Sequence, residues 1–440
     1  MPTVYVWGLG RRPLWMVLSA TVIAATTAAV GVLTFKFALL PPHPVGGDFR
    51  VLYSAGWMVR HGRDPYNTQA LMDVMSHITD SGPLKVPLPF VYVPWLGAIM
   101  VPFSLLPFWA AYGLWVAFTF VVISAGTYLW ARALGWRFSR TAALVASFST
   151  VAFINYDLGQ VAALAAGLLV AVLLTVLAGR LWWAGALAMT GAMLLPQDLF
   201  PLVAVLWVAA KTMYPARWRQ VLFGQATAFV ALVGASLLIH FSLLAAWIQS
   251  LFHFGTTPPF QSELAGISGL VTFAPSSWHL SQGLSDPFIS LVAVAGVLVV
   301  TALLRWLVLS PAIADFNPAR RAGWLILLPL GVWLVATPYA HIQDVAAAFP
   351  LTMLTLGDRG IALRVVRGWV ALISVLVIPV LLTFFSPYLF PQRTLAPLGL
   401  VSLVGLGWMA VLRESRAALT VKAQEAGHDQ LPALATESGM

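Results

Sequence analysis

Residues 161–179 read VAALAAGLLVAVLLTVLAG, with Asp157-Leu158-Gly159-Gln160 before them and Arg180 after them. A helix needs about 20 apolar residues to cross the hydrocarbon core of a bilayer, and this stretch offers that length with no charge and no polar face. Such a helix is either buried in a large core or spans a membrane. The rest of the chain decides between the two. Of its 440 residues 60% are hydrophobic and 9% are charged, against about 25% charged in a soluble domain. There is too little charge to clothe a soluble surface, so lipid must do it. The 34 glycines and 29 prolines also suit membrane helices better than soluble ones. Cysteine is absent, which excludes a disulfide framework, a cysteine metal site and a thiol nucleophile.

Working outward from this span, the charges set a topology. Basic residues cluster at Arg11/Arg12, Arg132/Arg137/Arg140, Arg180, Lys211/Arg217/Arg219, Arg305/Arg320/Arg321, Arg359/Arg364/Arg367 and Arg413/Arg416/Lys422. By the positive-inside rule these lie on the cytoplasmic side. Segments 41–90, 155–160, 196–198, 245–285, 338–344 and 386–394 then lie outside, and every acidic residue before position 300 falls in or beside one of them. The formal charge of +9 is therefore a bias of one membrane face, and no nucleic-acid partner is expected. The first apolar run, 14–40, is longer than the core of a secretory signal and reads as a retained span.

The apolar stretch 91–107 is short and broken by Pro94, Pro102 and Pro107. It reads as a helix lying along or dipping into the outer interface, with 108–131 as the true span. Further spans are expected at 139–154, 161–179, 181–195, 197–212, 220–243, 287–308, 322–337, 345–357, 368–385 and 395–412. The expected fold is all-α: a polytopic bundle of about 12 transmembrane helices with juxtamembrane helices on the outer face. Residues 1–412 form one membrane-embedded domain and 413–440 a polar cytoplasmic tail. Both termini are placed in the cytoplasm of a multi-pass cell-membrane protein. No internal repeat is strong enough to suggest two related halves.

Chemistry must then sit in the outer segments. The first outer loop, with its interfacial helices, covers 41–107 and the second 245–285. Within the first, Asp48, Asp64, Asp73 and Asp80 accompany Arg50, Arg60, Arg63, Lys85, His43, His61 and His77. After Gly46-Gly47, the residues Phe49, Leu52, Tyr53, Gly56, Trp57 and Arg60 recur at helical spacing. The plain reading of Asp48 is a helix cap.

The order Asp48-Phe49…Tyr53…Ala55…Gly62-Arg63-Asp64-Pro65-Tyr66 resembles glycosyltransferase family 87, of the GT-C superfamily. The likeness continues in Phe90-x-Tyr92-x-Pro94 with Pro102 and Leu106-Pro107, in Leu158-Gly159-Gln160, in Pro196-Gln197, and in Thr337-Pro338-Tyr339 with Asp344. Each motif alone is weak, but five in order at outer helix ends make a stronger signal. The resemblance implies a GT-C-like membrane enzyme that takes a sugar, mannose above all, from a polyprenyl-phosphate donor. The acceptor would be a lipid or glycan on the outer face of the cell envelope; from the residues themselves no cofactor and no metal are expected. It carries the role of general base onto Asp48 and substrate contacts onto Arg50, Tyr53, Arg63, Tyr66, Tyr92, Gln160, Gln197, His341 and Asp344. Direct displacement would invert the anomeric centre.

Positive charge is needed where the departing phosphate develops negative charge, and Arg50, Arg60, Arg63, Lys85 and His341 are the outer-face candidates. One departure from the family pattern is Leu195, which stands where a lysine usually precedes Pro-Gln. Lys36 is a substitute near the outer end of the first span, although a lone lysine there also reads as a snorkelling anchor. Bland readings accompany the rest. Gln160 and Gln197 would simply meet interfacial water, Asp157 and Asp198 would cap helices, and Asp64 beside Pro65 would make a turn. His341, Gln343 and Asp344 converge between two spans, where ionisable groups are functional by default. The histidines are too scattered for a metal set. The competing functions are a secondary transporter or lipid flippase, suggested by proline-broken helices, and a non-catalytic assembly subunit.

Overall fold

A helix satisfies its backbone polar groups internally, which is what a lipid-clad chain requires, and all the elements among the described residues are helical. The computed structural model describes residues 46–79, 88–136, 139–147, 152, 155, 156, 158–254, 285–336, 351, 352, 354 and 355. In chain order the elements are α1 (Gly47–Arg60), α2 (Thr68–Ile78), α3 (Pro94–Ile99), a 3₁₀ turn (Phe103–Leu105), α4 (Phe108–Ala133) and α5 (Ser139–Ser147). There follow α6 (Ala162–Leu177), α7 (Leu181–Leu194), α8 (Pro196–Met213), α9 (Arg219–Ile239) and α10 (Phe241–Phe254). The last are α11 (Ser285–Leu309), α12 (Pro311–Ala314) and α13 (Pro318–Ala336).

The helical pattern read after Gly46-Gly47 is α1. In the stretch 91–107 each proline begins a segment. Pro94 is the first residue of α3, Pro102 immediately precedes the 3₁₀ turn, and Pro107 occupies the cap position of α4. Proline suits these places because the first turn of a helix leaves its N–H groups unpaired anyway. The expected spans near 108–131, 161–179, 181–195, 197–212, 287–308 and 322–337 have their helices. Of the described helices, α4 and α9 are long and apolar enough to cross a bilayer. Spans 14–40, 368–385 and 395–412, with the tail 413–440, lie outside the described residues, as does most of 345–357.

Two expectations change. The run 220–243 is not one helix: His240 is extended (φ −170°, ψ 129°) and ends α9, because an extended residue cannot continue the i→i−4 ladder. Its ring Nδ1 lies 2.7 Å from the Ser242 hydroxyl, and α10 runs on from Phe241. The second outer loop, 245–285, therefore begins as helix. The connector 196–198 shrinks as well, since Pro196 already starts α8 and Leu195 alone joins it to α7.

Packing divides into two clusters joined by α4 and α6. One gathers Phe49, Tyr53, Phe90, Trp95, Phe108, Tyr112, Trp115, Phe120 and Ala162–Ala166. The other gathers Trp130, Leu169–Val176, much of α7 and α8, and Trp324–Leu334. At the far end of the second, the basic loops meet. Arg217 donates to the Gly179 carbonyl, Tyr214 to the Val176 carbonyl at 2.8 Å, and Arg321 to the Thr212 carbonyl at 3.5 Å. Asp48 and Gln160 belong to the opposite end. Helices α7 and α9 are in backbone contact. A Cβ on Gly185 would lie 2.1 Å from the Val221 oxygen, and one on Gly224 would lie 1.9 Å from the Trp182 oxygen. Small residues at helix contacts permit such approach in membranes. In the most apolar stretch of α9 only 17% of residues are buried, and Phe223 and Leu238 are 66% and 90% exposed. A core helix of a soluble protein would bury such residues, so this face is dressed by lipid.

Candidate active site

The site is built where the start of α1 meets the turn before α6. The cap position of α1 is Gly46, in the left-handed region at φ 68°. Asp48 is therefore not the cap: it stands in the first turn, half-buried, where the helix dipole favours a negative charge. The next residue, Phe49, is fully buried against the rings of Tyr112 and Trp115, with centroids 5.6 and 5.7 Å away. Those two side chains of α4 also grip the backbone at Tyr156 and Gly159. The Tyr112 hydroxyl donates to the Tyr156 carbonyl at 2.7 Å, and Trp115 Nε1 donates to the Gly159 carbonyl at 2.9 Å. Gly159 is left-handed (φ 69°), and a Cβ there would lie 2.4 Å from Phe49 Cβ. Only glycine fits both the turn and the contact.

The consequence is a hydrogen-bonded line through distant parts of the chain. Gln160, 6% exposed, donates from Nε2 to Asp48 Oδ2. Its Oε1 accepts from the Tyr92 hydroxyl at 3.4 Å. The assignment of the amide follows from chemistry, since an ionised carboxylate only accepts. The segment carrying Tyr92 is itself pinned twice. The Tyr66 hydroxyl donates to the Tyr92 carbonyl at 2.5 Å, and Trp247 Nε1 of α10 donates to the Val91 carbonyl at 3.1 Å. Burial, with the Asp64 carboxylate adding to it, raises the pKa of the Tyr66 hydroxyl, so it stays protonated and remains a donor. Asp64 is the turn residue expected, its Oδ1 accepting from the Tyr66 N–H at 2.9 Å.

The other candidates are distributed differently. Arg50 is 3% exposed; it donates to the Thr79 hydroxyl at 3.2 Å and its guanidinium lies 5.3 Å from the Phe108 ring centre. It ties α1 to the end of α2 and to α4. Tyr53 donates to the Leu106 carbonyl at 2.8 Å, securing the 3₁₀ turn. Arg63 is exposed, 5.3 Å from the Trp57 ring centre, and Trp57 stacks on His61. Asp198 is buried in the first turn of α8. Gln197 also belongs to that turn, and its side chain lies outside the described residues, as do Lys36, Lys85, Asp157, His341 and Asp344. Among the described residues no three His, Cys, Asp or Glu side chains gather as a metal site would require.

The supports of the site carried no recognisable signal in the sequence. Tyr112, Trp115 and Trp247 look like ordinary interfacial aromatics in a chain with 19 tryptophans, and Thr79 stands in an unremarkable polar run. The signal that could have found the contact is Gly159, since glycine permits close backbone approach. The family model of glycosyltransferase family 87 matches residues 90–338, taking in Tyr92, Gln160 and Gln197 and beginning downstream of Asp48. No curated protein matches the chain.

Proposed function

Since the chain belongs to glycosyltransferase family 87 and is thereby a membrane glycosyltransferase, we propose that it moves a hexose, mannose first among them, from a polyprenyl-phosphate donor to a lipid or glycan acceptor, with Asp48 as general base. The observation that carries this reading is the bond from Gln160 to Asp48. It ties a carboxylate upstream of the matched segment to a polar residue within it. In the reaction the acceptor hydroxyl gives its proton to the Asp48 carboxylate as its oxygen bonds to the anomeric carbon. The bond from that carbon to the phosphate oxygen breaks, the lipid phosphate leaves with the electron pair, and the anomeric centre inverts. A carboxylate has about four lone-pair sites, so one amide donor does not exhaust its basicity. Arg60 and Arg63 are exposed but stand at the far end of α1, about 18 Å along the helix from Asp48. Lys85 and His341 are therefore proposed to supply positive charge for the departing phosphate. His341, Asp344 and Gln197 are proposed to complete the sugar and phosphate contacts. The transporter reading has no comparable support once the family is known.

The donor is tested with purified protein and a panel of radiolabelled polyprenyl-phosphate sugars, scored by label leaving the lipid. Release is expected from one lipid-linked hexose, with no requirement for a nucleotide sugar, cofactor or added metal. Turnover with a GDP- or UDP-sugar in lipid-free detergent would sink the donor assignment.

The same reading places the site outside the cell membrane and both termini in the cytoplasm, in a multi-pass chain. The gathering of Arg217, Arg321 and their loops at the end opposite Asp48 supports it, since basic loops stay inside. The chain has no native cysteine, so Asp64→Cys can be labelled cleanly with an impermeant thiol reagent. Labelling is expected in intact cells, whereas labelling only after permeabilisation would invert the topology.

A further inference from the structure

We infer that Gln160 is a positioning residue for Asp48 rather than a sugar ligand, and that Tyr92 braces Gln160 from the other side of its amide. The inference rests on the general-base reading above. A glutamine serving a sugar would need its amide turned to the substrate. Here both ends of the amide are engaged within the protein: Nε2 donates to Asp48 and Oε1 accepts from Tyr92. The residue is also 6% exposed, with its backbone in a turn that Trp115 and Tyr112 hold from α4. A carboxylate on a two-bond side chain would otherwise sample several rotamers, and most would aim it away from a bound hydroxyl. One amide donor from a rigid turn selects among them. The carboxylate decides which end of the amide faces it, because it only accepts, and the Tyr92 hydroxyl donates to the Oε1 left on the other side and braces the amide there. Tyr92 is held in turn through its carbonyl by Tyr66. The line Tyr66–Tyr92–Gln160–Asp48 thus joins three parts of the first outer loop to the start of α6.

This arrangement has a kinetic signature. A positioning residue acts only through the group it positions. Gln160→Met keeps the length and bulk but removes both hydrogen bonds, and it should lower kcat about 10–100-fold, the scale of misplacing a catalytic group by an ångström. Donor KM should move by less than about twofold, because the contact is not made to the substrate. In an Asp48→Asn background the same change should cost almost nothing further, since there is no base left to aim. Tyr92→Phe, which removes one hydroxyl and keeps the ring, should give a smaller kcat loss of the same kind. It also serves as the test if Gln160→Met does not yield monodisperse protein. The experiment is this cycle, assayed with the lipid-linked hexose that the donor panel identifies and with residual rates read at long incubation. A raised donor KM at unchanged kcat would make Gln160 a substrate ligand and overturn the inference. Equal, additive losses in the two backgrounds would make it merely structural and overturn it too. If Asp48→Asn alone kept near-normal turnover, the general-base reading would fall first and this inference with it, so the two failures are told apart by a single arm.

Discussion

Asp48→Asn is expected to reduce turnover by about 10²–10⁴-fold, the usual contribution of general-base assistance, while donor KM stays near its normal value. The structure makes this substitution unusually informative. The start of α1 depends little on the aspartate, because Gly46 holds the cap position and a first-turn charge contributes only about 0.3–1 kcal/mol. The hydrogen bond from Gln160 also survives in principle, because the asparagine carbonyl oxygen accepts from the same amide. What disappears is the negative charge and its affinity for a proton. A cap or a purely structural role therefore predicts little loss, and a base predicts a large one. Asp48→Ala would blur that contrast by deleting the hydrogen bond as well. Near wild-type turnover in a monodisperse Asp48→Asn protein would exclude the base, and His341 or Asp344 would become the next residue to replace.

The second large effect is expected from Gly159→Ala. The left-handed backbone costs a residue with a Cβ about 1–2 kcal/mol. The new methyl group would sit 2.4 Å from Phe49 Cβ and 3.4 Å from Phe49 Cα, and overpacking of this kind costs roughly 1–3 kcal/mol more. Together these consume a sizeable part of a typical margin of about 5–15 kcal/mol. Relief of the clash requires α1 to move off the turn, which carries Asp48 away from Gln160. Activity should fall along with the thermal unfolding midpoint in detergent. Gly62→Ala is the matched control: its φ is 65°, but nothing lies within 4 Å of a Cβ built there, so it should pay the backbone term alone. If the two variants behaved alike, the contact between Phe49 and Gly159 would not be holding the site together.

The sequence alone determined what depends on composition and local pattern. A chain with 9% charge and 60% hydrophobic residues is lipid-facing, and its unbroken apolar runs, without the alternation of barrel strands, make it helical. The helical spacing after Gly46-Gly47 became α1, Asp64-Pro65 became a turn, and the motifs around Tyr92 and Gln160 pointed to the family that residues 90–338 match. Local reading failed where two segments compete for one role. It took Asp48 for a possible cap, because a carboxylate before a helical run usually is one, and could not foresee that a left-handed Gly46 takes that place. It ran α9 through His240, because an apolar flank on both sides hides a single extended residue.

Tertiary structure alone decided the partners. Gln160 reaches Asp48 across 112 residues of chain only because Tyr112 and Trp115 hold one turn against Phe49. Arg50, an outer-loop cation on paper, is buried between Thr79 and Phe108 while Arg63 remains at the surface. Local propensity and hydropathy are properties of neighbours in sequence. The orientation of a carboxylate is a property of neighbours in space, and those are chosen by which aromatic rings pack together when the helices meet.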